Sequence, residues 1–523
     1  MQASHTWKCG SAVFDEENLV SCAGLVPVME LAQQAGLSQL LDEHVRFACE
    51  RIKSGAANAT SKLTSIIAGM ATGADSIDDL DVVRSGGMTK LFGKVYAAAT
   101  LGIFLREFTH GHTRQLSAVL RGHLVALAER TRLLAGIDQR CFVDIDSLLR
   151  PVYGHAKQGV SFGHTKISGK TVLRRGLSPL AVTISTPTAA PVVAAARLRG
   201  GSAGSARGAA SMLTEAVNTA TAAGAQPANI LVRGDSAYGN GKVIAAVVKT
   251  GARFSLTMAK TAPVMAAINT IPDQAYTAVR YPGAVLDPDT GALISNAQVA
   301  EVPYTAFAGT AHEITARLVV RRVLDANTQD PLFPVWRHHP FLTDSTDPVV
   351  QADITHRQHA ICETVWSDLI DGAWAHQPSG VFAANAAWTI LTAICHNLLR
   401  AAGTLTGTPR YARRPRRHPT HPYRQRPCPA GPPTTTTGPA STSPLAPRPA
   451  LATPVDSGLP HLARAHPPPR STTHHHRTPD QQASNGTHTG QRASGPPYPN
   501  LTPKIIPTYE DHAANSSTDS GLA

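Results

Sequence analysis

The sequence predicts an α/β fold, with a helical segment before the α/β part and a low-complexity tail after it. Three observations support this prediction. Short buried-strand patterns alternate with helical patterns after about residue 140, helical periodicity dominates before it, and proline-rich composition begins after residue 405. At 523 residues the chain is long enough for two or three domains and a sizeable core.

Residues 20–135 have the periodicity of a helical region. Apolar side chains recur at helical spacing from Val26 to Val45, with Gly36 between them, and again from Gln115 to Leu134. The turn at Gly36 has two interpretations. It either joins two core-packing helices or forms the turn of a helix-turn-helix motif.

Four short apolar runs bounded by polar residues have the pattern of buried strands. They are CFVDID (141–146), LAVTIST (180–186), NILVRGD (229–235) and ARFSLTMA (252–259). Helical patterns lie between the later runs, at 206–223 and 242–250. Strand–helix–strand order predicts an α/β domain.

A β-rich segment interrupts the α/β pattern. Residues 272–325 contain three strand-like stretches separated by turn-forming residues, which indicates a β insertion at about 262–345. Two amphipathic helices are predicted after it, roughly at 350–371 and 381–402.

The last part of the chain has a different composition. Residues 401–523 hold 23 of the 39 prolines, so residues 405–523 are expected to be a disordered tail. The same residues contain 13 Lys and Arg and five Asp and Glu. They therefore account for 8 of the net charge of +12 and leave +4 for residues 1–400. The overall charge is thus a weak argument that the folded part binds a polyanion.

Cysteine usage and hydropathy argue against several classes of protein. The seven cysteines form no Cys-x-x-Cys pair, which disfavours a zinc ribbon or finger and fits free thiols in a reducing cytoplasm. The first residues lack the apolar core of a signal peptide, and no apolar run approaches the ~20 residues of a membrane span. We therefore expect a cytoplasmic protein with no membrane partner.

Acidic residues follow the predicted strands. Asp144 and Asp146 end the first strand, Asp235 ends the third, and Glu363 lies early in a later helix. Polar groups at strand carboxyl ends share one crevice, and carboxylates there suit Mg²⁺ or Mn²⁺. Each residue also has an ordinary interpretation, since Asp at a strand end often caps a turn and Glu on an amphipathic helix is usually solvated.

Several ordered motifs together resemble bacterial insertion-sequence transposases of the DDE class, more narrowly the actinobacterial branch with a D-x-D first motif. The similarity covers roughly residues 10–405, in the motifs VDIDSLLRPVYGHAKQG, LVRGDSAYG, HAICETVWSDLIDG and FAANAAWTILTAICHNLLRAAG. It implies an RNase H-like mixed sheet flanked by helices at 136–404 and a helical DNA-binding region at 1–135. The β-rich insertion would then contact DNA ends.

The resemblance also implies roles for individual residues. Asp146, Asp235 and Glu363 match the three catalytic acids, which would hold two Mg²⁺ or Mn²⁺ ions. Asp146, followed by Ser147, fits the family frame better than Asp144, although Leu148 stands where the family has Thr. Asp144 stays open as a further metal ligand or as the true first acid.

Two other features are weaker candidates for phosphate contacts. The family's Tyr, Arg and Lys around the Glu are not kept in their usual form, and we expect His356, Arg357 and His359 to reach phosphate instead. RLRGGSAGSARG (197–208) is glycine-rich and basic but has no Walker pattern. It is either a phosphate cradle or a flexible strand–helix loop near DNA.

The expected function is that of a DNA transposase acting on terminal inverted repeats and target DNA, as a nucleoid-associated homodimer. Two alternatives stay open: a metal-dependent DNA nuclease of the same fold without strand transfer, and a catalytically inactive DNA-binding remnant. The tail after about residue 405 is interpreted either as a frameshifted terminus or as a basic DNA tether.

Overall fold

A computed structural model describes residues 19–20, 22–47, 55–154, 156–167, 170–280, 297–324, 335–407 and 434–435. All of these residues belong to one compact unit. The tail predicted from residue 405 lies almost entirely outside the described residues.

Helices dominate the amino-terminal region, as predicted. After the two-residue strand β1 (Leu19–Val20) come α1 (Leu25–Gln34), α2 (Leu37–His44), α3 (Ala59–Ala71), α4 (Ala98–Arg106) and α5 (His110–Arg130). Two 3₁₀ helices, Asp78–Arg84 and Gly86–Leu91, lie between α3 and α4.

The turn between α1 and α2 is only two residues long. Gly36 adopts a left-handed conformation there, with φ of 72°, which favours glycine. Leu31 of α1 and both Leu37 and Leu41 of α2 are buried in the main core. These contacts favour the interpretation of two core-packing helices.

The centre of the fold is one mixed sheet of nine strands, which confirms the predicted α/β class. Its members are β2 (Cys141–Ser147) and, after three strands of a smaller sheet, β6 (Leu180–Ser185), β7 (Val192–Arg197), β8 (Ile230–Gly234), β9 (Arg253–Thr257), β10 (Thr277–Ala278), β11 (Ala297–Ala306), β12 (Ile314–Leu324) and β13 (Trp336–Thr343). Their order is β10-β11-β12-β13-β9-β8-β2-β6-β7. Strands β2, β8 and β9 are mutually parallel, and the other neighbours are antiparallel.

The β-rich segment does not form a sheet of its own. Strands β11 to β13 form an antiparallel meander, and β13 pairs with β9 through Phe341↔Thr257, Leu342↔Leu256 and Thr343↔Ser255. The insertion therefore extends the central sheet on the β9 side. The position of the insertion is therefore fixed relative to the strands that carry the acidic residues.

Helices flank the sheet. They are α6 (Ala209–Ala222), α7 (Gly241–Lys249), α8 (Ala262–Asn269), α9 (Val349–Arg357), α10 (Cys362–Ile370) and α11 (Phe382–Leu405). The predicted helix at 350–371 is two helices, because a 3₁₀ turn at Gln358–Ile361 separates α9 from α10.

Among the described residues, α11 is the one helix long and apolar enough to cross a membrane by length and composition. Most of it is buried inside the fold, where it packs against α3, α5 and β7. Such burial is typical of the core helix of a globular domain.

A second, smaller sheet was not predicted from the sequence. It consists of β3 (Arg150–Pro151), β4 (Ser161–Ile167) and β5 (Lys170–Leu177) in the order β3-β5-β4, all antiparallel. It lies between β2 and β6 in the chain, so it begins three residues after the strand with the first acidic motif.

Candidate active site

Two of the predicted acids lie at the same edge of the central sheet. Strands β2 and β8 are parallel neighbours, and their last paired residues are Ile145 and Gly234. Asp146 and Asp235 each follow that pair by one residue. The two carboxylates therefore lie at the carboxyl ends of adjacent parallel strands, which is where α/β sheets form ligand sites.

The side chain of Asp146 is held from two sides. Its Oδ1 accepts a hydrogen bond from the backbone N–H of Ser147 at 2.7 Å, and its Oδ2 accepts one from the indole Nε1 of Trp366 at 3.0 Å. Trp366 belongs to α10 and follows Glu363 by three residues, so both lie on neighbouring positions of one helix face. The indole contact thus brings the first turn of α10, with Glu363, to the end of β2.

Charge crowding shows how close the three carboxylates are. Burial, together with the negative charges of Asp235 and, more weakly, Glu363, raises the pKa of Asp146 to about 7. Asp235 and Glu363 are exposed, while Asp146 is partly buried. The Oδ1 of Asp235 accepts a hydrogen bond from the N–H of Ala237 at 3.0 Å, which holds the turn after β8.

This arrangement suits a hard divalent cation. A carboxylate whose pKa is raised by neighbouring negative charges is stabilised as the anion when a cation binds beside it, and oxygen-only donors favour Mg²⁺ or Mn²⁺. Within the described part of the chain, no three His, Cys, Asp or Glu side chains stand close enough together to hold a metal ion as they are.

Asp144 lies two residues before Asp146 but has a different environment. Its two oxygens accept hydrogen bonds from Nε and Nη2 of Arg233, at 2.6 and 2.7 Å, and both side chains are almost fully buried. The Nη1 of Arg233 donates to the carbonyl of Thr355 in α9 at 2.7 Å. This carboxylate is the counter-ion of a buried guanidinium, which occupies both of its oxygens.

His356 does not belong to a phosphate-binding face, whereas the expected phosphate contacts of Arg357 and His359 stay predictions. His356 is buried, its ring nitrogens lie 2.9 Å from Ser255 Oγ and 3.0 Å from Thr257 Oγ1, and its ring stacks on Phe341. Burial, followed by the nearby His359, lowers its pKa well below the usual value. The prediction that His356 contacts phosphate is wrong, because this neutral ring is packed between strands β9 and β13 and helix α9.

The glycine-rich segment 197–208 has a structural role in the loop before α6. The buried guanidinium of Arg199 donates to the carbonyls of Ser178, Gly204, Ser205 and Arg207, which folds the loop around it. A Cβ on Gly201 would collide with the carbonyl oxygens of Gly176 and Ser161. Glycine is needed here for close backbone packing against the small sheet, and Arg199 is not available for a phosphate.

Two residues that matter for the site, Arg233 and Trp366, were missed from the sequence. A charged residue inside the apolar run NILVRGD is a signal, because a buried guanidinium needs a counter-ion. Trp366 follows Glu363 by three residues, which is the spacing of neighbours on one helix face. Neither signal can be interpreted without knowing which strand or helix packs against the residue in the folded chain.

Comparison with known proteins agrees with this geometry. The profile of the family described as transposase DDE domain group 1 matches residues 10–410. That range contains both strand-end motifs and α10. No curated protein matches the chain.

Proposed function

The chain belongs to the DDE transposase family, and on that premise we propose that it binds the terminal inverted repeats of a mobile element, cuts the DNA there and joins the ends to target DNA. The observation that carries this proposal is the position of Asp146 and Asp235 at the ends of adjacent parallel strands, with Glu363 on the helix bonded to Asp146 through Trp366. We take Asp146, Asp235 and Glu363 as the catalytic acids.

DDE transposases use divalent metal ions, and the oxygen-only donors of the site fit two Mg²⁺ or Mn²⁺ ions. When bound, such ions activate the attacking oxygen and stabilise the leaving oxygen of an in-line displacement. Asp146 is orientated by Ser147 and Trp366, each of which uses one lone pair of one oxygen and leaves others for a cation. Asp235 and Glu363 complete the ligand set from the exposed side.

Asp144 was a candidate metal ligand as well, and we propose a different role for it. Its bidentate pair with Arg233 supports a structural counter-ion. The first catalytic acid is then Asp146, in agreement with the family frame.

The proposal extends to the parts of the chain and their partners. We assign DNA binding to residues 1–135, catalysis to 136–404, and contacts with DNA ends to the insertion at about 262–345. A homodimer holding two ends, located at the nucleoid in the cytoplasm, follows from the need to synapse both ends of an element.

The test is metal-dependent nicking of a duplex that carries the DNA flanking this gene. We expect Asp235→Asn to lose nicking in Mg²⁺ and in Mn²⁺ while its affinity for the same duplex stays within about twofold of wild type, since the site binds phosphate chiefly through its cations. Asp138→Asn is a matched control, because Asp138 is an exposed aspartate in the turn before β2, away from the carboxyl end of that strand and outside the region assigned to DNA binding. Equal nicking by Asp235→Asn and wild type contradicts the assignment.

The same preparation separates the alternative functions. A strand-transfer assay with a pre-cut end and a supercoiled target distinguishes a transposase from a nuclease of the same fold, which cuts but does not join. Binding without cutting by the wild-type chain identifies an inactive remnant.

The tail bears on that last alternative. The family match ends at residue 410, close to where the proline-rich composition begins. This supports the proposal of a frameshifted terminus over a native DNA tether. Sequencing of the native gene tests it, because a frameshift requires a sensible second reading frame after codon 405.

A further inference from the structure

The small sheet contains a two-stranded ribbon, β4 and β5, that starts next to the proposed catalytic centre. Only Ser147, Leu148 and Leu149 separate Asp146 from β3, which pairs with the base of β5. Strands β4 and β5 pair from Ser161↔Gly176 at the base to Ile167↔Lys170 at the far end. The base of the ribbon is therefore joined to the strand that carries Asp146 by a short segment of chain.

Apolar side chains are exposed on both faces of the ribbon. Directly paired residues share a face, so Phe162 and Leu173 lie on one face, and Val172 lies on the other beside Arg174. Their exposed fractions are 64% for Phe162, 57% for Leu173 and 38% for Val172, and Arg174 is exposed too. Since a bare hairpin with uncovered apolar side chains is only marginally stable in water, this pattern indicates a surface that another molecule covers.

The base of the ribbon is firmly attached to the domain. Gly163 and Gly176 lie so close to neighbouring backbone that a Cβ on either would collide with a carbonyl oxygen, that of Gly201 or of Arg150. The guanidinium of Arg150 donates to the carbonyl of Ala375, in the loop after α10. The base of the ribbon is thus packed against β3 and the loop after β7, and β3 in turn is bonded to the segment that follows α10.

The Lys, Arg, Asp and Glu residues in the segment that contains the ribbon are all of one sign. Residues 147–214 contain nine Lys and Arg and no Asp or Glu. Their charge of +9 exceeds the +4 of residues 1–400 as a whole, so the other residues of that region are net negative. The positive charge of the folded part is therefore concentrated in the segment that contains the ribbon, where a polyanion is attracted.

We propose that the β4–β5 ribbon enters a groove of the duplex beside the scissile phosphate. The major groove of B-DNA admits a two-stranded β-ribbon, and the charge complementarity favours DNA over a second copy of this basic surface. In this arrangement one face of the ribbon, with Phe162 and Leu173, packs against sugars and base edges, and Arg174 on the other face reaches the phosphate backbone that borders the groove. The inference rests on the proposed function, because it makes the ribbon part of the DNA-binding surface of that site.

The test uses the full chain and fluorescence anisotropy with a labelled duplex of the flanking DNA. We expect Arg174→Ala to reduce the slope of log Kd against log salt by about one and to weaken binding about fivefold at physiological salt. The double variant Phe162→Ser with Leu173→Ser is expected to weaken binding about tenfold with an unchanged slope, since it removes apolar contacts only.

Lys249→Ala is the matched control. Lys249 is an exposed cation at the end of α7, and α7 runs from the carboxyl edge of the sheet back to the opposite edge. We expect its affinity and slope to equal those of wild type. Melting curves of all variants are compared, because the substituted side chains are exposed and should leave the fold intact.

Several results overturn the proposal. The proposal is wrong if both ribbon variants bind the duplex with the affinity and the salt slope of wild type. It is also wrong if the wild-type chain binds no duplex. Loss of dimers in sedimentation with unchanged DNA affinity assigns the ribbon to a second copy of the chain instead. Nicking by Asp235→Asn contradicts the catalytic assignment alone and leaves the ribbon measurement valid, so the two failures are distinguishable.

Discussion

Asp144 and Asp146 are two residues apart on one strand, yet the structure predicts opposite effects when each is replaced by Asn. Asp144→Asn leaves the buried Arg233 with an uncompensated charge, so the free energy of unfolding should fall by about 3–5 kcal/mol. Asp146→Asn removes a carboxylate that lies close to two other negative charges. In the absence of metal it should stabilise the protein.

The size and sign of the Asp146 effect follow from its pKa. Its value is raised from 3.8 to about 7, so the folded chain binds the proton more tightly than the unfolded chain. The associated stability is fully present below pH 3.8 and is lost as the pH rises through 7. A shift of about three units corresponds to at most about 4 kcal/mol, which solvent screening of the partly exposed carboxylate lowers to about 2 kcal/mol.

Equilibrium urea unfolding in EDTA at pH 8 measures both effects. We expect Asp146→Asn to exceed wild type by about 2 kcal/mol at pH 8 and to match it near pH 4, where Asp146 is protonated. Adding Mn²⁺ should raise the unfolding midpoint of wild type and should not do so for Asp146→Asn.

The opposite pattern refutes the reasoning. If Asp144→Asn is as stable as wild type and abolishes the Mn²⁺ effect, while Asp146→Asn is strongly destabilised, then Asp144 is the metal ligand and Asp146 is the structural residue.

Three further outcomes are expected. Trp366→Phe keeps the ring but removes the N–H donor to Asp146, so the Mn²⁺ concentration for half-maximal nicking should rise about tenfold with an unchanged melting temperature; an unchanged Mn²⁺ dependence contradicts this. Gly201→Ala should lower the free energy of urea unfolding by about 1–3 kcal/mol because its Cβ meets two carbonyl oxygens, whereas a Cβ on Gly204 meets nothing nearby, so equal losses in both variants contradict the packing argument. Burial lowers the pKa of His123 to about 4, so the unfolded chain binds more protons and stability falls as the pH drops from 6.5 towards 4. His123→Leu should reduce the loss of stability between pH 7 and pH 5 by about 2 kcal/mol, and a pH profile parallel to wild type rules this out.

The positions of strands and helices in the central domain could be predicted because each of these elements is buried either on one face or completely. All four apolar runs are strands of the sheet, β2, β6, β8 and β9, since their side chains face packed helices and so carry a clear pattern. The ribbon strands β4 and β5 were missed for the opposite reason. Both of their faces are exposed, so they have no apolar face for a periodicity to reveal.

The strand pattern alone does not distinguish Asp144 from Asp146, and the preference for Asp146 comes from the family frame. Residues two apart on a strand project from the same face, so local geometry treats the two carboxylates alike. Only the position of Arg233 on the neighbouring strand separates them, and strand neighbours are a property of the tertiary fold. The position of the insertion could not be predicted for the same reason. Its strands were expected, but the pairing of β13 with β9 is a long-range contact of the tertiary fold.

The first two motifs share one arrangement, in which a residue of the buried ion pair stands two positions before a proposed catalytic acid. Asp144 pairs in register with Arg233 across β2 and β8, and the same register brings Asp146 level with Asp235. A shift of one residue between these strands would turn one carboxylate to the other face and leave the guanidinium without its counter-ion. Arg233 also binds the carbonyl of Thr355 in α9, the helix that leads into the segment with Glu363. One buried ion pair thus fixes the register of the first two acids and holds the element that delivers the third, so its loss should disturb the site as well as the stability of the fold.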